Sequence, residues 1–248
     1  MTNSSVTFLS ALNPNRLEKT YLKSRKIEGW YYDDETVSEL PYSGFPPEQA
    51  KIWGWRRRSL ARLVRHISKL FGGEKFTVLD VGCGNGWMSN LIASKFKAAR
   101  VLGVDVNLAE LEQANRVFAN PALEFGYADI LSEDLPAQSF DVIILAGSAQ
   151  YFPDLHKLQD SLRRLLTPRG EAHIIDTNFY PDIQAQQSAK LKSEEYFNTQ
   201  KNPEMIPFYH HHLYSDWQGY DLNISCTFRT LQKLGILSPF PWLVLKSQ

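Results

Sequence analysis

The chain has 248 residues, of which 43% are hydrophobic, enough to bury the core of one domain with a cap or an insertion. Its 27 basic and 27 acidic side chains cancel, so the net charge gives no attraction to nucleic acid or to an anionic membrane and favours a small-molecule or protein substrate. The chain has no apolar run near the roughly 20 residues of a membrane span, no signal-peptide pattern and only two cysteines, Cys83 and Cys226, so we expect a cytoplasmic protein.

The N-terminal part of the chain shows little regular patterning. Residues 1–50 have no sustained periodicity and contain a Pro/Gly cluster at 41–47, so we expect an irregular or briefly helical lid. Apolar residues then recur at helical spacing over residues 53–71, and Gly72-Gly73 follows, which predicts an amphipathic helix packed on a sheet. We therefore divide the chain into a lid, residues 1–50, and one domain, residues 51–248.

The middle of the chain alternates between short apolar runs and helical patterns. The apolar runs lie at residues 76–81, 100–105, 123–127, 140–146 and 171–176. Helical patterns occupy residues 108–119 and 155–166, and Pro168-Arg169-Gly170 closes the second. Strands that are apolar throughout and alternate with helices are typical of a parallel sheet with helices on both faces.

The C-terminal part, residues 181–248, has a different pattern, and we expect it to face the substrate. A polar helical stretch at 183–197 precedes an aromatic, His-rich segment at 208–220. Two β-prone runs at 222–228 and 240–245, joined by a loop that contains Gly235, predict an antiparallel hairpin at the sheet edge. The expected fold is therefore α/β: a Rossmann-like, doubly wound, seven-stranded and mostly parallel sheet.

A glycine-rich loop, Asp80-Val-Gly82-Cys-Gly84-Asn-Gly86, stands directly between the first of these strands and a helix. Glycines allow a ligand to approach the backbone closely, and a helix N-terminus supplies free N–H groups. In a doubly wound sheet this loop lies where ligands bind. The glycines alternate, unlike the G-x-G-x-x-G dinucleotide fingerprint, and Asp80 suits the α-ammonium of a methionine moiety better than a pyrophosphate.

This loop resembles motif I of the class I S-adenosylmethionine-dependent methyltransferases (type 11/12-like), and the resemblance extends over residues 75–180, the expected cofactor-binding core. It implies that S-adenosyl-L-methionine is the cofactor and S-adenosyl-L-homocysteine the product. It further implies that Asp105 binds the ribose hydroxyls, while Asp129 and Ile130 meet the adenine. The cofactor-binding residues expected from it are Asp80, Gly82, Gly84, Gly86, Asp105, Val106, Asp129, Ile130, Ala146 and Arg57.

Arginine and aromatic residues near the first helix have two interpretations. One interpretation is that Arg56, Arg57 and Arg58 form a solvated face of the helix. The other is that the start of the helix folds over the loop, so that Arg57 or Arg58 pairs with the methionine carboxylate. Three aromatic residues either cap the cofactor or pack in the lid. These residues are Tyr31, Tyr32 and Trp55. We interpret Cys83 as packing in the turn rather than as a nucleophile.

Methyl transfer from a sulfonium requires alignment and exclusion of water, and a base only if the acceptor must lose a proton. The candidate catalytic residues are Tyr151, His156, His210 and His211. Consecutive side chains at 210–212 point in different directions and cannot all meet one ion, so we expect no metal. The aromatic segment 177–220 suits a small, partly apolar acceptor, but it matches no motif that names one.

Two other functions remain open from the sequence. An NAD(P)-dependent oxidoreductase shares the acid at Asp105, although the glycine spacing and Asp80 disfavour it. A non-catalytic, regulatory protein that binds S-adenosylmethionine is consistent with the same acids. Nothing in the sequence indicates the oligomeric state.

Overall fold

The structure, a computed structural model, describes residues 6–11, 16–217, 221–222 and 240–247. The strands are β1 (Thr7–Phe8), β2 (Phe76–Val81), β3 (Ala99–Asp105), β4 (Leu123–Tyr127), β5 (Phe140–Ala146), β6 (Leu166–Ile175), β7 (Phe179–Tyr180), β8 (His212–Leu213), β9 (Asp221–Leu222) and β10 (Leu243–Lys246). The α-helices are α1 (Arg16–Ile27), α2 (Asp34–Glu39), α3 (Ala50–Phe71), α4 (Trp87–Lys95), α5 (Leu108–Val117), α6 (Leu155–Leu165) and α7 (Ile183–Thr199). None of these helices is both long and apolar enough to cross a membrane.

The main sheet has the strand order β1-β4-β3-β2-β5-β6-β10-β9 in the described part of the chain. The first six strands are parallel, whereas β10 is antiparallel to both β6 and β9. The prediction of a mostly parallel, Rossmann-like sheet with an antiparallel C-terminal edge is confirmed. Because β2 lies between β3 and β5, the chain order reverses at β2, and ligands bind doubly wound sheets at that point.

Helices cover both faces of the sheet because its central strands are apolar on both sides. Val78 on β2 is fully buried in a cluster with side chains of α3, α4 and α5. The next residue, Leu79, is fully buried in a second cluster with side chains of α6. Successive residues of a strand point to opposite faces, so a continuous apolar run fills both layers.

Strand β6 and the N-terminal segment differ from the sequence-based prediction, and part of the predicted hairpin is not described. Strand β6 begins at Leu166, not at residue 171. Its pairing with β5 shifts register there, so residues 167–170, which include the Pro-Arg-Gly turn, interrupt the pairing of the two strands. The N-terminal segment contains α1, a regular helix of 12 residues, and β1, which adds an eighth strand. Of the predicted hairpin, β10 and β9 are described, and residues 223–239 with Gly235 lie outside the described residues.

Gly86 offers a test of how tightly the glycine-rich loop packs. It has a φ of +76°, and an added Cβ would lie 2.5 Å from the Phe125 ring and 2.8 Å from the Ala114 methyl group. We expect Gly86→Ala to lower the free energy of unfolding by about 2–4 kcal/mol, through overpacking and a left-handed backbone.

The matched control is Gly54→Ala, because Gly54 lies within α3 and has no atom within 4 Å of an added Cβ. Alanine there favours the helix, so the variant should be more stable by about 0.5–1 kcal/mol. Urea unfolding of both variants measures the difference. Equal effects of the two substitutions would contradict the packing described for Gly86.

Candidate functional site

Carboxylates gather at one edge of the sheet. Asp80 lies on β2, Asp105 ends β3, Asp129 follows β4 and Asp176 follows β6. Since these strands are parallel, their carboxyl ends meet at the same edge. Among the described residues, three cavities open there, and Tyr21 of α1 lines all three.

The large cavity has a volume of about 450 Å³ and a mostly apolar wall. Its lining includes Val81, Gly82, Val104, Asp105, Val106, Ala128, Asp129, Ile130, Gly147, Tyr151 and His210. The Asp105 carboxylate is fixed because the Gly84 N–H donates to Oδ2 and the Asn107 N–H donates to Oδ1, both at 2.8 Å. Each carboxylate oxygen has a second lone pair, so Asp105 can also accept hydrogen bonds from a ligand in the cavity.

Asp129 and Ile130 lie together on the wall of the large cavity. Asp129 is exposed, and its Oδ1 accepts a hydrogen bond from the Leu131 N–H at 3.0 Å, as in an Asx turn. Ile130 is buried in the second apolar cluster. An acceptor oxygen beside an apolar side chain can contact the amino group and the face of a purine.

The charged cavity is smaller, about 70 Å³, and lies against the glycine-rich loop. Its lining includes Tyr21, Arg25, Arg56, Asp80, Gly82, Gly84, Glu110, Ala146, Gly147 and Asp176. Asp80 is buried and accepts a hydrogen bond from Ser89 Oγ at 2.6 Å. Burial raises the pKa of Asp80 to about 6. Gly86 lines none of the three cavities, and its role is the close packing described above.

Gly82 allows the charged cavity and the large cavity to meet. An added Cβ on Gly82 would lie 2.6 Å from Ser148 Cβ, so no side chain fits between the loops after β2 and β5. Ser148 Oγ donates a hydrogen bond of 2.8 Å to the Val81 carbonyl and holds the two loops together. The backbone of Gly82 therefore forms a floor common to both cavities.

Buried charges in the charged cavity are incompletely paired. Arg25 Nε lies 3.9 Å from Glu110 Oε1, beyond hydrogen-bond distance. Arg25 Nε and Glu110 Oε2 have no hydrogen-bond partner among the described residues. Burial raises the pKa of Glu110 to about 7. Buried charged groups without partners are costly, and a ligand with both an ammonium and a carboxylate would satisfy them.

Asp176 is a further acid of the charged cavity, which the sequence analysis did not single out. Its backbone has a φ of +56°, a strained region for a residue with a side chain. Ser59 Oγ donates to its carboxylate at 2.6 Å, and burial raises its pKa to about 6. Its position at the end of the fifth predicted strand, equivalent to that of Asp105, is the signal that could have identified it.

The structure corrects the expectation for Arg57. Arg57 is exposed on α3, whereas the preceding residue, Arg56, lines the charged cavity, with its guanidinium 4.6 Å from the centre of the Trp53 ring. Successive helical residues point about 100° apart, so both cannot face one cavity. Three aromatic residues named as possible caps are also absent from the cavity walls. These residues are Tyr31, Tyr32 and Trp55; Tyr21 lies there instead.

The third cavity, which we call the tyrosine cavity, has a volume of about 290 Å³ and lies between α1, α7 and the 3₁₀ turn Pro203–Phe208. Its lining residues are Tyr21, Ser24, Arg25, Glu28, Tyr151, Lys192, Ser193, Tyr196, Phe197, Met205 and Tyr209. It shares Tyr21 and Arg25 with the charged cavity, and Tyr21 and Tyr151 with the large cavity. The three cavities therefore meet around the edge-to-face pair of Tyr21 and Tyr151, whose ring centres are 5.5 Å apart.

The candidate catalytic residues lie in different places. Tyr151 lines the large and tyrosine cavities, and burial raises its pKa to about 12. His210 lines the large cavity. The His211 ring lies 2.9 Å from Ser193 Oγ and lines none of the cavities, and His156 is exposed at the start of α6, away from all three. The structure thus brings Tyr151 and His210 to the site and does not bring His156.

Cys83 also lines the charged cavity, and a cluster of His and Glu side chains lies elsewhere, between α3 and β6. Cys83 is buried, and burial raises its thiol pKa well above its ordinary value, which disfavours a thiolate nucleophile. In the described residues, one group has the geometry of a metal site: His66, Glu171 and His173. Trp242 Nε1 donates to His173 Nδ1 at 3.3 Å, so the neutral ring carries its proton on Nε2 and has no lone pair there for an ion.

Sequence comparison identifies the core of the site with a known family. Residues 78–170 match a family model described as a methyltransferase domain. A malonyl-[acyl-carrier protein] O-methyltransferase of Priestia megaterium is 28% identical over 115 residues, which cover 46% of this chain and 42% of that protein. A trans-aconitate 2-methyltransferase of Escherichia coli is 37% identical over 93 residues, which cover 38% of this chain and 36% of that protein. The chain thus matches less than half the length of these relatives.

Solved structures extend the similarity of fold to almost the whole chain. A geranyl diphosphate C-methyltransferase from Streptomyces coelicolor A3(2), crystallised with Mg²⁺, geranyl diphosphate and S-adenosyl-L-homocysteine, has a TM-score of 0.59 at 14% identity, covering 95% of this chain and 99% of that one. Magnesium protoporphyrin IX methyltransferase from Synechocystis PCC 6803, with bound S-adenosyl-L-homocysteine, has a TM-score of 0.56 at 15% identity, covering 94% and 96%. At these identities the similarity is one of fold.

The raised pKa values in the charged cavity predict how stability depends on pH. Glu110, Asp80 and Asp176 have folded pKa values of about 7, 6 and 6, above the ordinary values of 4.5, 3.8 and 3.8. Between these limits the folded protein binds more protons than the unfolded chain, so the ligand-free protein should lose stability as the pH rises from about 4 to about 7. Glu110→Gln should reduce this loss by about 1 kcal/mol.

Urea unfolding at a series of pH values between about 4.5 and 7.5 measures the slope. The matched control is Glu112→Gln, because Glu112 lies on the same helix but is exposed. A slope that Glu110→Gln leaves unchanged would show that Glu110 does not titrate as its burial implies.

Proposed function

Since the chain belongs to the class I S-adenosylmethionine-dependent methyltransferases, we propose that it transfers a methyl group from S-adenosyl-L-methionine to a small-molecule acceptor (EC 2.1.1.-). The observation that carries the proposal is the junction of two unlike cavities over Gly82. The large cavity has a mostly apolar wall in which Asp105 is held by backbone donors, and the charged cavity holds buried ions of both signs. An aminoacyl nucleoside has this same division, with an adenosine at one end and a zwitterion at the other.

The adenosine part occupies the large cavity. Asp105 accepts hydrogen bonds from the two ribose hydroxyls, with the lone pairs that Gly84 and Asn107 leave free. The adenine packs against Val106 and Ile130, and its amino group donates to Asp129. These assignments use polar groups for direction and apolar surface for affinity, as in most small-molecule sites.

The methionine part occupies the charged cavity. Arg56 and Arg25 face its carboxylate, and Glu110 and Asp80 lie on the side of its ammonium. Arg56 replaces Arg57 in this role because only Arg56 reaches the cavity. The ammonium favours the ionised forms of Glu110 and Asp80, so cofactor binding releases protons at neutral pH.

The chain's own residues mainly align the reactants and exclude water. Methyl transfer breaks the bond between the methyl carbon and the sulfonium sulfur as the acceptor attacks from the opposite side. Gly82, Gly147 and Tyr21, which border both cofactor cavities, lie where the two parts of the cofactor join. Residues 1–50 act as a lid on the domain of residues 51–248, since α1 supplies Tyr21 and Arg25 to the cavity walls.

The names of similar enzymes support a small acceptor, or a small acyl group carried on a protein. The enzymes similar over the cofactor-binding core are named for malonyl-[acyl-carrier protein] and trans-aconitate, and a structure of the same fold holds geranyl diphosphate. These acceptors differ from one another in size and chemistry. The class of acceptor must therefore be sought in the residues outside 78–170.

The first test concerns the adenosine end of the cofactor. Asp105→Ala removes two charge-assisted hydrogen bonds to the ribose, each worth about 1.5–3 kcal/mol, so S-adenosyl-L-homocysteine should bind at least about 100-fold more weakly. Isothermal titration calorimetry measures the affinity. Asp160→Ala is the control, because the Asp160 side chain is 80% exposed on α6. Unchanged binding by Asp105→Ala would overturn the cofactor assignment.

The second test concerns the methionine end and separates two adjacent arginines. Arg56→Met should weaken binding of S-adenosyl-L-homocysteine by about tenfold or more, because a charged pair is lost. It should leave binding of 5′-methylthioadenosine, which has no amino-acid part, unchanged. Arg57→Met should leave the affinity for both ligands unchanged, since Arg57 is exposed. If Arg56→Met weakened binding of the two ligands equally, Arg56 would not bind the methionine part of the cofactor.

A further inference from the structure

We propose that the tyrosine cavity is the acceptor site, and that its acceptor is a small molecule with an apolar body whose carboxylate receives the methyl group. This inference rests on the proposed function and adds the chemical class of the acceptor. It is carried by the position of the cavity, the charges that line it and the hydrogen-bonding character of its wall.

The position of the tyrosine cavity fits the direction of methyl transfer. It meets the charged cavity at Tyr21 and Arg25, and the large cavity at Tyr21 and Tyr151. A ligand in the tyrosine cavity therefore approaches the cofactor where its methionine and adenosine parts join. The sulfonium methyl group stands at that join, so the reacting atoms meet beside the Tyr21 and Tyr151 rings.

The charges of the tyrosine cavity favour an anion. Arg25 and Lys192 carry positive charge, and Glu28 is the one carboxylate among the described lining residues. Glu28 already accepts a hydrogen bond from Ser24 Oγ at 2.8 Å, and a second contact joins it to the Tyr196 hydroxyl. Lys192 and Arg25, which the tyrosine cavity shares with the charged cavity, thus outnumber one partly satisfied acid. An ammonium acceptor would be repelled, whereas a carboxylate would be attracted.

The tyrosines of the wall are hydrogen-bond donors rather than bases for an acceptor that must lose a proton, and the one carboxylate among the described lining residues, Glu28, is already engaged by Ser24 and Tyr196. Burial raises the pKa of Tyr151 to about 12, so the Tyr151 hydroxyl is protonated at neutral pH and donates hydrogen bonds. The pKa of Tyr209 is raised in the same direction by burial. A carboxylic acid has an ordinary pKa near 4 and arrives already ionised. It therefore needs hydrogen-bond donors from the wall and no base.

The chemical step balances without a further reactant. A carboxylate oxygen forms a bond to the methyl carbon, and the bond from that carbon to sulfur breaks, with its electron pair going to sulfur. The products are a methyl ester and S-adenosyl-L-homocysteine, and no proton is transferred. Positioning and exclusion of water are the contributions that this site can make to such a step.

Aromatic rings form much of the remaining wall of the tyrosine cavity. Tyr209 makes edge-to-face contacts with Tyr151 and with Phe197, at centre distances of 6.0 Å and 5.7 Å. Met205, almost fully buried, adds a flexible apolar side chain. These surfaces bind an apolar or aromatic body, while the donors at the cofactor end orient its carboxylate.

The decisive experiment follows the chemical form of the transferred methyl group. The full-length protein is incubated with methyl-labelled S-adenosyl-L-methionine and a protein-free metabolite extract of the source cells. The products are then treated with alkali, which hydrolyses methyl esters and releases labelled methanol. We expect most of the transferred label to be released. Label that remains on base-stable products overturns the carboxylate assignment, and so does the absence of any transferred label.

Calorimetry with S-adenosyl-L-homocysteine on the same preparation separates the two levels of inference. Binding without base-labile label overturns the carboxylate acceptor and leaves the cofactor site intact. Absence of binding overturns the proposed function itself.

A variant then tests the location of the acceptor. Tyr209 lines the tyrosine cavity and neither cofactor cavity, so Tyr209→Phe removes one donor from the acceptor site. At limiting extract, the rate of base-labile labelling should fall by about tenfold, with unchanged affinity for S-adenosyl-L-homocysteine. Tyr42→Phe is the matched control, because Tyr42 is 61% exposed. An unchanged rate in Tyr209→Phe overturns the assignment of this cavity.

Discussion

The close approach of the loops after β2 and β5 determines the shape of the whole site. Gly82 has no side chain, and Ser148 occupies the space that a Cβ would need, 2.6 Å away. The Ser148 hydroxyl then donates to the Val81 carbonyl, which fixes the contact. Because β2 pairs in parallel with both β3 and β5, this contact falls at the reversal of strand order. The backbone at Gly82 thus becomes a surface that two cavities share, and a ligand can lie across it.

Charges are distributed unequally around that surface. The central strands are apolar, so the acids that end them are buried with little water around them, and their pKa values rise. Such groups reduce the stability of the ligand-free protein. Their energetic cost is offset when a ligand supplies the missing charge, so the same burial that destabilises the empty site strengthens its interactions with a zwitterion. This relation between stability and binding is common where function requires buried polar groups.

The sequence predicted some parts of this structure much better than others. Strands β2, β4 and β5 have the predicted bounds because each is a continuous apolar run between polar residues. For the N-terminal segment only an irregular or briefly helical structure was predicted, and the position and length of α1 were not, since its buried face includes the hydroxyl residues Thr20 and Ser24 and therefore lacks an apolar period. Among the site residues, the acids Asp105 and Asp129 were identified from their positions at the ends of predicted strands.

The choice between Arg56 and Arg57 depends on the rotation of α3 about its own axis, which only tertiary packing determines. Glu110 lies within a helix and belongs to no motif that the sequence analysis used.

Helix α1 links the parts of the site that the sequence separates. Tyr21 lines all three cavities, and Arg25, one helical turn later, lines the charged and tyrosine cavities.

A ligand in the charged cavity places its carboxylate near Arg25 and so makes the electrostatic potential in the tyrosine cavity less positive. The positive sulfonium acts in the opposite direction, since it adds a cation at the point where the cavities meet. A carboxylate in the tyrosine cavity then faces the sulfonium, Arg25 and Lys192 together, so the bound cofactor strengthens the attraction for an anionic acceptor. After transfer, both the sulfonium charge and the carboxylate charge are gone, and the electrostatic attraction between the two products is lost with them.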